Sequence, residues 1–176
     1  GKTELREYQT RLSRVAIDAG AQAVLGHHPH ILQAIEYYQG GVILYSLGNF
    51  TFGSYSKKSA TSAVAQLRFR QGHLTALRMV PIRVNNFEVQ FQPRVLTGAE
   101  ADAVVDNLQR LSAQHNTTLV NLAGEAHLQL HPDIRSDEFL CAMIAAAEER
   151  LSISDADGWR SLSICAYHFD TQLSTL

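Results

Sequence analysis

The chain has 176 residues, 45% of them hydrophobic, with 15 basic and 17 acidic side chains and a formal charge of -2. That suffices for one domain with a buried core, or a large piece of one, and the near-neutral balance excludes the broad basic footprint that binds nucleic acid. No apolar run approaches the roughly 18 residues that cross a bilayer, and no block of like charge reads as a tail.

The sequence opens at Gly1 rather than at Met and turns helical within a few residues. It is therefore expected to be cut from a longer protein. Residues 3–19 read as a helix, because Leu5, Tyr8, Leu12, Val15, Ala16 and Ala19 recur at spacings of three and four. Gly20 stops it. Residues 21–25 are a short apolar strand, and Gly26-His27-His28-Pro29-His30 follows at once. Residues 31–38 look extended, Gln39-Gly40-Gly41 turns, and residues 42–47 return as a second strand, together a hairpin. Gly48-Asn49-Phe50 ends that strand, and a polar loop runs from Gly53 to Ser62.

Three more strands are expected. Ala63, Ala65, Leu67 and Phe69 alternate with Val64, Gln66, Arg68 and Arg70, and Gln71-Gly72 turns the chain into residues 74–84. Asn85-Asn86 turns it again, and Phe87, Val89 and Phe91 alternate with polar neighbours as in a half-buried strand. Such a meander buries one face and wets the other. Thr97-Gly98-Ala99-Glu100 has the form of a capping box, opening a helix to about Gln114 with Ala101, Val104, Val105, Leu108 and Leu111 on one stripe.

Past His115 the pattern weakens. A further helix is expected over 136–150, with Phe139, Leu140, Met143, Ile144 and Ala147 inward, then a loop at 155–158. Periodicity does not decide between strand and helix over 159–169. Residues 1–114 thus form one unit and residues 115–176 an additional, unassigned segment. Cys141 and Cys165 stand in mostly apolar settings and read as buried thiols, with a disulfide between them as the alternative. They are not a Cys-x-x-Cys pair.

The chemistry concentrates in the histidine loop. Imidazole is the commonest nitrogen ligand for zinc, manganese and iron at neutral pH. Two His separated by one residue reach a common ion only on an irregular backbone. Pro29 imposes this by fixing its own φ and pushing His28 out of the helical region, while Gly26 allows a sharp exit from the strand. His28 and His30 are the candidate metal ligands. His27 is either a third ligand or a group facing substrate. The plain alternative is a polar surface loop, but three His in four residues are rarer than lone surface His.

Asn49 is the second candidate, because Gly48-Asn49 at a strand end can present backbone N–H groups and an amide to an anion or to water. Taken alone it is a turn; it gains weight because the hairpin could return it beside the histidines. His127 and His131, in an alternating strand-like stretch, read as ordinary surface residues, as do His73, His115 and His168. Asp155 and Asp157 lack the later acidic ligands of a calcium loop. There is no Gly-x-Ser-x-Gly elbow, P-loop or dinucleotide fingerprint.

Gly26-His27-His28-Pro29-His30-Ile31-Leu32-Gln33 and Tyr45-Ser46-Leu47-Gly48-Asn49-Phe50 resemble the CapA family of capsule and poly-γ-glutamate synthesis proteins. Gln9, residues 17–21, Val80-Pro81-Ile82 and the helix at Gly98-Ala99-Glu100 fit the same pattern, so the resemblance covers about residues 4–114. That family looks like a branch of the calcineurin-like metallophosphoesterases. The resemblance implies an α+β fold, part of a β-sandwich flanked by helices, whose N-terminal half is absent here.

The resemblance also implies two divalent metal ions in the intact parent, with His28-Pro29-His30 matching the family's last metal motif. In that reading His28 and His30 hold metal, and His27 and Asn49 orient substrate or water. The other implied ligands, from the N-terminal half, are not in this sequence, so the fragment alone is expected to be inactive and to expose strand edges. The implied substrate is an anionic polymer or a phosphoryl compound, the implied partners are membrane-associated synthesis proteins, and the implied place is the bacterial cell envelope or membrane. An amidohydrolase barrel also uses His-x-His after a strand, but needs repeated strand–helix units where this sequence has hairpins. A non-catalytic assembly or polymer-binding component is the remaining alternative.

Overall fold

The computed structural model describes residues 2–52, 55–70 and 72–128. The expected helix at 136–150, the loop at 155–158, the segment 159–169, and Cys141, Cys165, His131 and His168 lie outside the described residues. The fold is α+β, as expected, with two sheets and helices packed on them.

Helix α1 spans Glu7–Asp18 and starts later than its periodicity suggests. The preceding residues are bonded elsewhere: the Gln33 side chain donates to the Lys2 carbonyl at 3.0 Å, and the Arg6 N–H donates to Gln9 Oε1 at 2.9 Å, closing the first turn. The apolar stripe is real, but its outer part faces solvent. Tyr8, Leu12 and Val15 are 49–60% exposed, and Ile17 is the residue that α1 buries.

Strands β1 (Ala23–Leu25), β2 (Ile35–Tyr38) and β3 (Gly41–Leu44) form a sheet ordered β1-β3-β2. β1 runs parallel to β3, and β2 antiparallel. The expected hairpin is present because Gln39 and Gly40 both take positive φ, 48° and 84°. That is the twist-matched two-residue turn that glycine favours. The outer edge of β2 is satisfied by side chains rather than by a strand. Ile35 N–H donates to Ser112 Oγ, and Tyr37 N–H to Thr117 Oγ1, both at 2.9 Å.

The long hairpin of β4 (Thr61–Arg70) and β5 (His73–Arg83) is also as expected, except that a bulge between Arg68 and Phe69 breaks the alternation and leaves Phe69 exposed. The expected strand at Phe87, Val89 and Phe91 does not form. Asn86–Val89 is a single helical turn, α2. Asn85 Oδ1 accepts from Phe87 N–H at 3.2 Å, and Asn86 Oδ1 from Phe91 N–H at 3.1 Å. These side-chain bonds outcompete a ladder, so Phe87 ends 75% exposed while Val89 is buried. Beside β5 lie instead β6 (Arg94–Val95) and β8 (Glu125–Leu128), with β7 (Leu119–Leu122) beyond, in the order β4-β5-β8-β7.

Helix α3 (Gly98–Ala113) buries the stripe read from its sequence, Ala101 to Leu111. Its capping box is not made. Thr97 forms no side-chain cap bond, and Glu100 pairs with Arg83 at 2.5 Å. The main core joins both sheets to α3 through Ile35, Val42, Leu44, Leu67, Leu77, Met79, Val105, Leu108 and Leu128. Ile43 and Tyr45, on the opposite face of β3, pack in a second cluster with Ile17, Ala34 and Leu111. His127, expected at the surface, sits opposite Arg78 in β8 and is 7% exposed.

Candidate metal and substrate site

The histidine loop leaves the C-terminal end of β1, and its first residue is sterically fixed. Gly26 N–H donates to the Leu44 carbonyl at 2.7 Å, and Leu47 N–H donates to the Gly26 carbonyl at 3.2 Å. A Cβ on Gly26 would fall 2.2 Å from the Tyr45 carbonyl oxygen, so only glycine lets β1 and the end of β3 approach this closely. The strand-end Gly is thus needed for contact rather than for an unusual φ.

Beyond Gly26 the backbone is strained. His28 and His30 have φ of 91° and 63°, a region that costs a non-glycine residue about 1–2 kcal/mol. Pro29 between them disfavours helical backbone at His28, but the positive φ of both histidines goes beyond what a proline imposes. The two rings lie 6.2 Å apart between centroids, at 48° to each other, and both residues are exposed. A metal–imidazole bond is about 2.0–2.1 Å, so a centroid spacing of 6.2 Å is short enough for both rings to reach one cation. His27 is also exposed on its outer side, yet partial burial lowers its pKa below the ordinary value.

The hairpin does return Asn49 to the loop. Gly48 takes φ 79°, and a Cβ there would fall 2.6 Å from the Oγ of Ser62, whose hydroxyl donates to the Leu47 carbonyl. Asn49, 3% exposed, then meets His30: its Oδ1 lies 2.8 Å from Nδ1. An amide oxygen accepts, so His30 carries its proton on Nδ1 and leaves the Nε2 lone pair free. This is the arrangement of a metal-ligating histidine oriented through its other nitrogen. Asn49 Nδ2 is buried with no hydrogen-bond partner, a donor available to a ligand oxygen. The donor set therefore fits one side of a cation site. Among the described residues no group of three His, Cys, Asp or Glu converges to complete one.

Phe52 was not singled out from sequence. Its ring stacks on His30 at 4.5 Å between centroids, tilted by 32°. The only sequence hint is an aromatic residue three positions past Asn49. His73 and His115 lie away from the loop: His73 starts β5, and His115 packs against Tyr45 at 5.7 Å. A cleft of about 450 Å³ opens where the loop re-enters the fold, lined by Ile31, Leu32, Lys58, Thr61, Arg83 and Glu100.

Behind β3, the buried Glu36 carboxylate pairs with Arg14 at 2.6 Å and accepts from the Tyr45 hydroxyl at 2.5 Å. Burial, then that hydrogen bond, raises the Tyr45 pKa, and the same carboxylate raises that of Arg14. This network secures the strand that carries Ser46 to Asn49.

Residues 1–54 match the family described as bacterial capsule synthesis protein PGA_cap. The chain is 36% identical over 91 residues to the capsule biosynthesis protein CapA of Bacillus anthracis, covering 52% of this chain and 21% of that protein. It is 40% identical over 77 residues to the PGA biosynthesis protein CapA of Bacillus subtilis strain 168, covering 44% and 20%. An uncharacterized protein of Sinorhizobium fredii, y4sH, is 27% identical over 163 residues, covering 66% and 35%. The chain spans about a fifth of the length of the two capsule-synthesis relatives.

Proposed function

On the premise that the chain, through its first 54 residues, is a member of the CapA capsule-synthesis family, we propose that it supplies the histidine wall of a metal-dependent hydrolase site. His28 and His30 hold the cation, and His27 and Asn49 orient substrate or water. The observation that carries this reading is the 2.8 Å contact of His30 Nδ1 with buried Asn49, which frees Nε2 while Asn49 Nδ2 stays unpartnered. The chemistry that divalent cations supply when bound is polarisation of a phosphoryl or acyl oxygen and activation of water.

The chain's own contribution is orientation. Pro29 and Gly26 shape the loop, Asn49 sets the His30 tautomer, and His27 precedes the two ligands on the same loop. The resemblance calls for two ions, with the remaining ligands outside this sequence. The substrate is an anionic polymer or a phosphoryl compound, for which Lys58 in the adjoining cleft provides positive charge, Arg83 there being paired with Glu100 and Glu88. Action beside membrane-associated synthesis proteins in the cell envelope follows from the same family reading.

The test is metal content and turnover of the protein in its full natural chain, with p-nitrophenyl phosphate and poly-γ-glutamate as probes. His28→Ala with His30→Ala should remove both metal and turnover. If the pair leaves both unchanged, the loop is not a metal site. A non-catalytic, polymer-binding role draws on the pairing of just two candidate ligands on this loop, and metal loss with no turnover in the parent protein would favour it.

A further inference from the structure

The turn that replaces the expected strand at 87–91 is held by one buried side chain that also reaches the histidine site. Asn86 is 4% exposed. Its Nδ2 donates to the Phe52 carbonyl at 2.8 Å, across 34 positions of sequence, while its Oδ1 accepts from Phe91 N–H at 3.1 Å. To bring that N–H within reach, Gln90 and Phe91 take positive φ of 49° and 64°. Two consecutive non-glycine residues in this region are costly, and such strain persists only where the surroundings over-determine it. Both bonds of the amide are used, one inside the turn and one on Phe52.

Phe52 in turn lies against His30, ring on ring. The imidazole is therefore held on two sides: Asn49 oxygen at its Nδ1, and the Phe52 ring against its plane. On an exposed ring one hydrogen bond competes with water, so the imidazole can swing off the Asn49 oxygen; a ring stacked on its plane opposes this. We infer that Phe52 is a positioning residue for the His30 imidazole, and that Asn86 is the anchor that holds Phe52 in place. The inference rests on the reading of His30 as a metal ligand and names how its free nitrogen is aimed. A polar amide 56 positions away in sequence from His30 thereby governs the orientation of the site.

The experiment uses the whole 176-residue chain and two readouts: the His30 tautomer from long-range ¹H–¹⁵N NMR, and Co²⁺ affinity from its visible absorption. In the unaltered chain His30 should show a single Nδ1–H tautomer. Phe52→Leu keeps an apolar side chain but removes the ring. It should give a tautomer mixture and bind Co²⁺ roughly tenfold more weakly, the lower end of the loss seen when support of a ligand is removed. Phe52→Tyr, which keeps the ring, should restore both. Asn86→Asp retains the acceptor for Phe91 N–H but loses the donor to Phe52, and should reproduce the Phe52→Leu spectrum with circular dichroism unchanged.

A Phe52→Leu chain with the original tautomer and affinity would overturn the inference. The His30→Ala control separates the two readings. If it leaves Co²⁺ affinity unchanged, the ligand assignment fails, and the tautomer spectrum alone still decides whether Phe52 orients the ring.

Discussion

Replacing Gly26 by Ala probes how the strand end shapes the site. The added Cβ would lie 2.2 Å from the Tyr45 oxygen, 2.8 Å from its carbonyl carbon and 3.0 Å from the Leu44 oxygen. A comfortable contact is about 3.5 Å, so β1 and the end of β3 must part by about 1 Å. Two backbone hydrogen bonds span that gap, Gly26 to Leu44 and Leu47 to Gly26, each contributing about 1 kcal/mol net. Forced overpacking adds about 2 kcal/mol, and the stiffer unfolded chain returns about 0.5–1 kcal/mol. The expected loss is about 3 kcal/mol, read from urea unfolding followed by circular dichroism. Gly40→Ala is the control, since nothing lies within 4 Å of its Cβ and only φ 84° opposes it, for about 1–2 kcal/mol. A Gly26→Ala chain destabilised by no more than the control would refute the close-approach argument.

Three further outcomes follow from the same geometry. The raised Tyr45 pKa means that its contribution to stability is present below the ordinary value of 10.0 and is lost as pH rises above it; Tyr45→Phe should be less stable at pH 7 yet show a flatter alkaline decline in thermal melts. Ser112→Ala leaves the buried Ile35 N–H without its acceptor and should cost about 2 kcal/mol in urea unfolding. Asn49→Ala should release the His30 tautomer, seen as two ¹⁵N environments in place of one.

The sequence made most elements legible where local chemistry decides them. The β2–β3 turn is written in Gln39-Gly40, and α3 in its stripe from Ala101 to Leu111. The contact of His30 with Asn49 could be anticipated because a hairpin joins their segments. Phe87 to Phe91 alternates like a strand, but Asn85 and Asn86 bond its N–H groups into a turn that Asn86 also ties to a carbonyl 34 residues away. His127 is buried because β8 enters between β5 and β7, an event its own neighbours do not encode. In α1 the apolar period was readable, but which part of the stripe is covered was not. Phe52 escaped notice for a related reason: a lone aromatic in a loop signals nothing until the fold lays it on His30.

The most direct test of the histidine site is titration of this chain with MnCl₂ while its imidazole signals are followed by NMR. A paramagnetic ion broadens the nuclei nearest to it. With a cation held by the loop, His28 and His30, with the Asn49 side-chain amide, should broaden at the lowest Mn²⁺ concentrations, while His73 and His115 stay sharp. Uniform broadening of all these signals, or earlier broadening of His73 or His115, would contradict it.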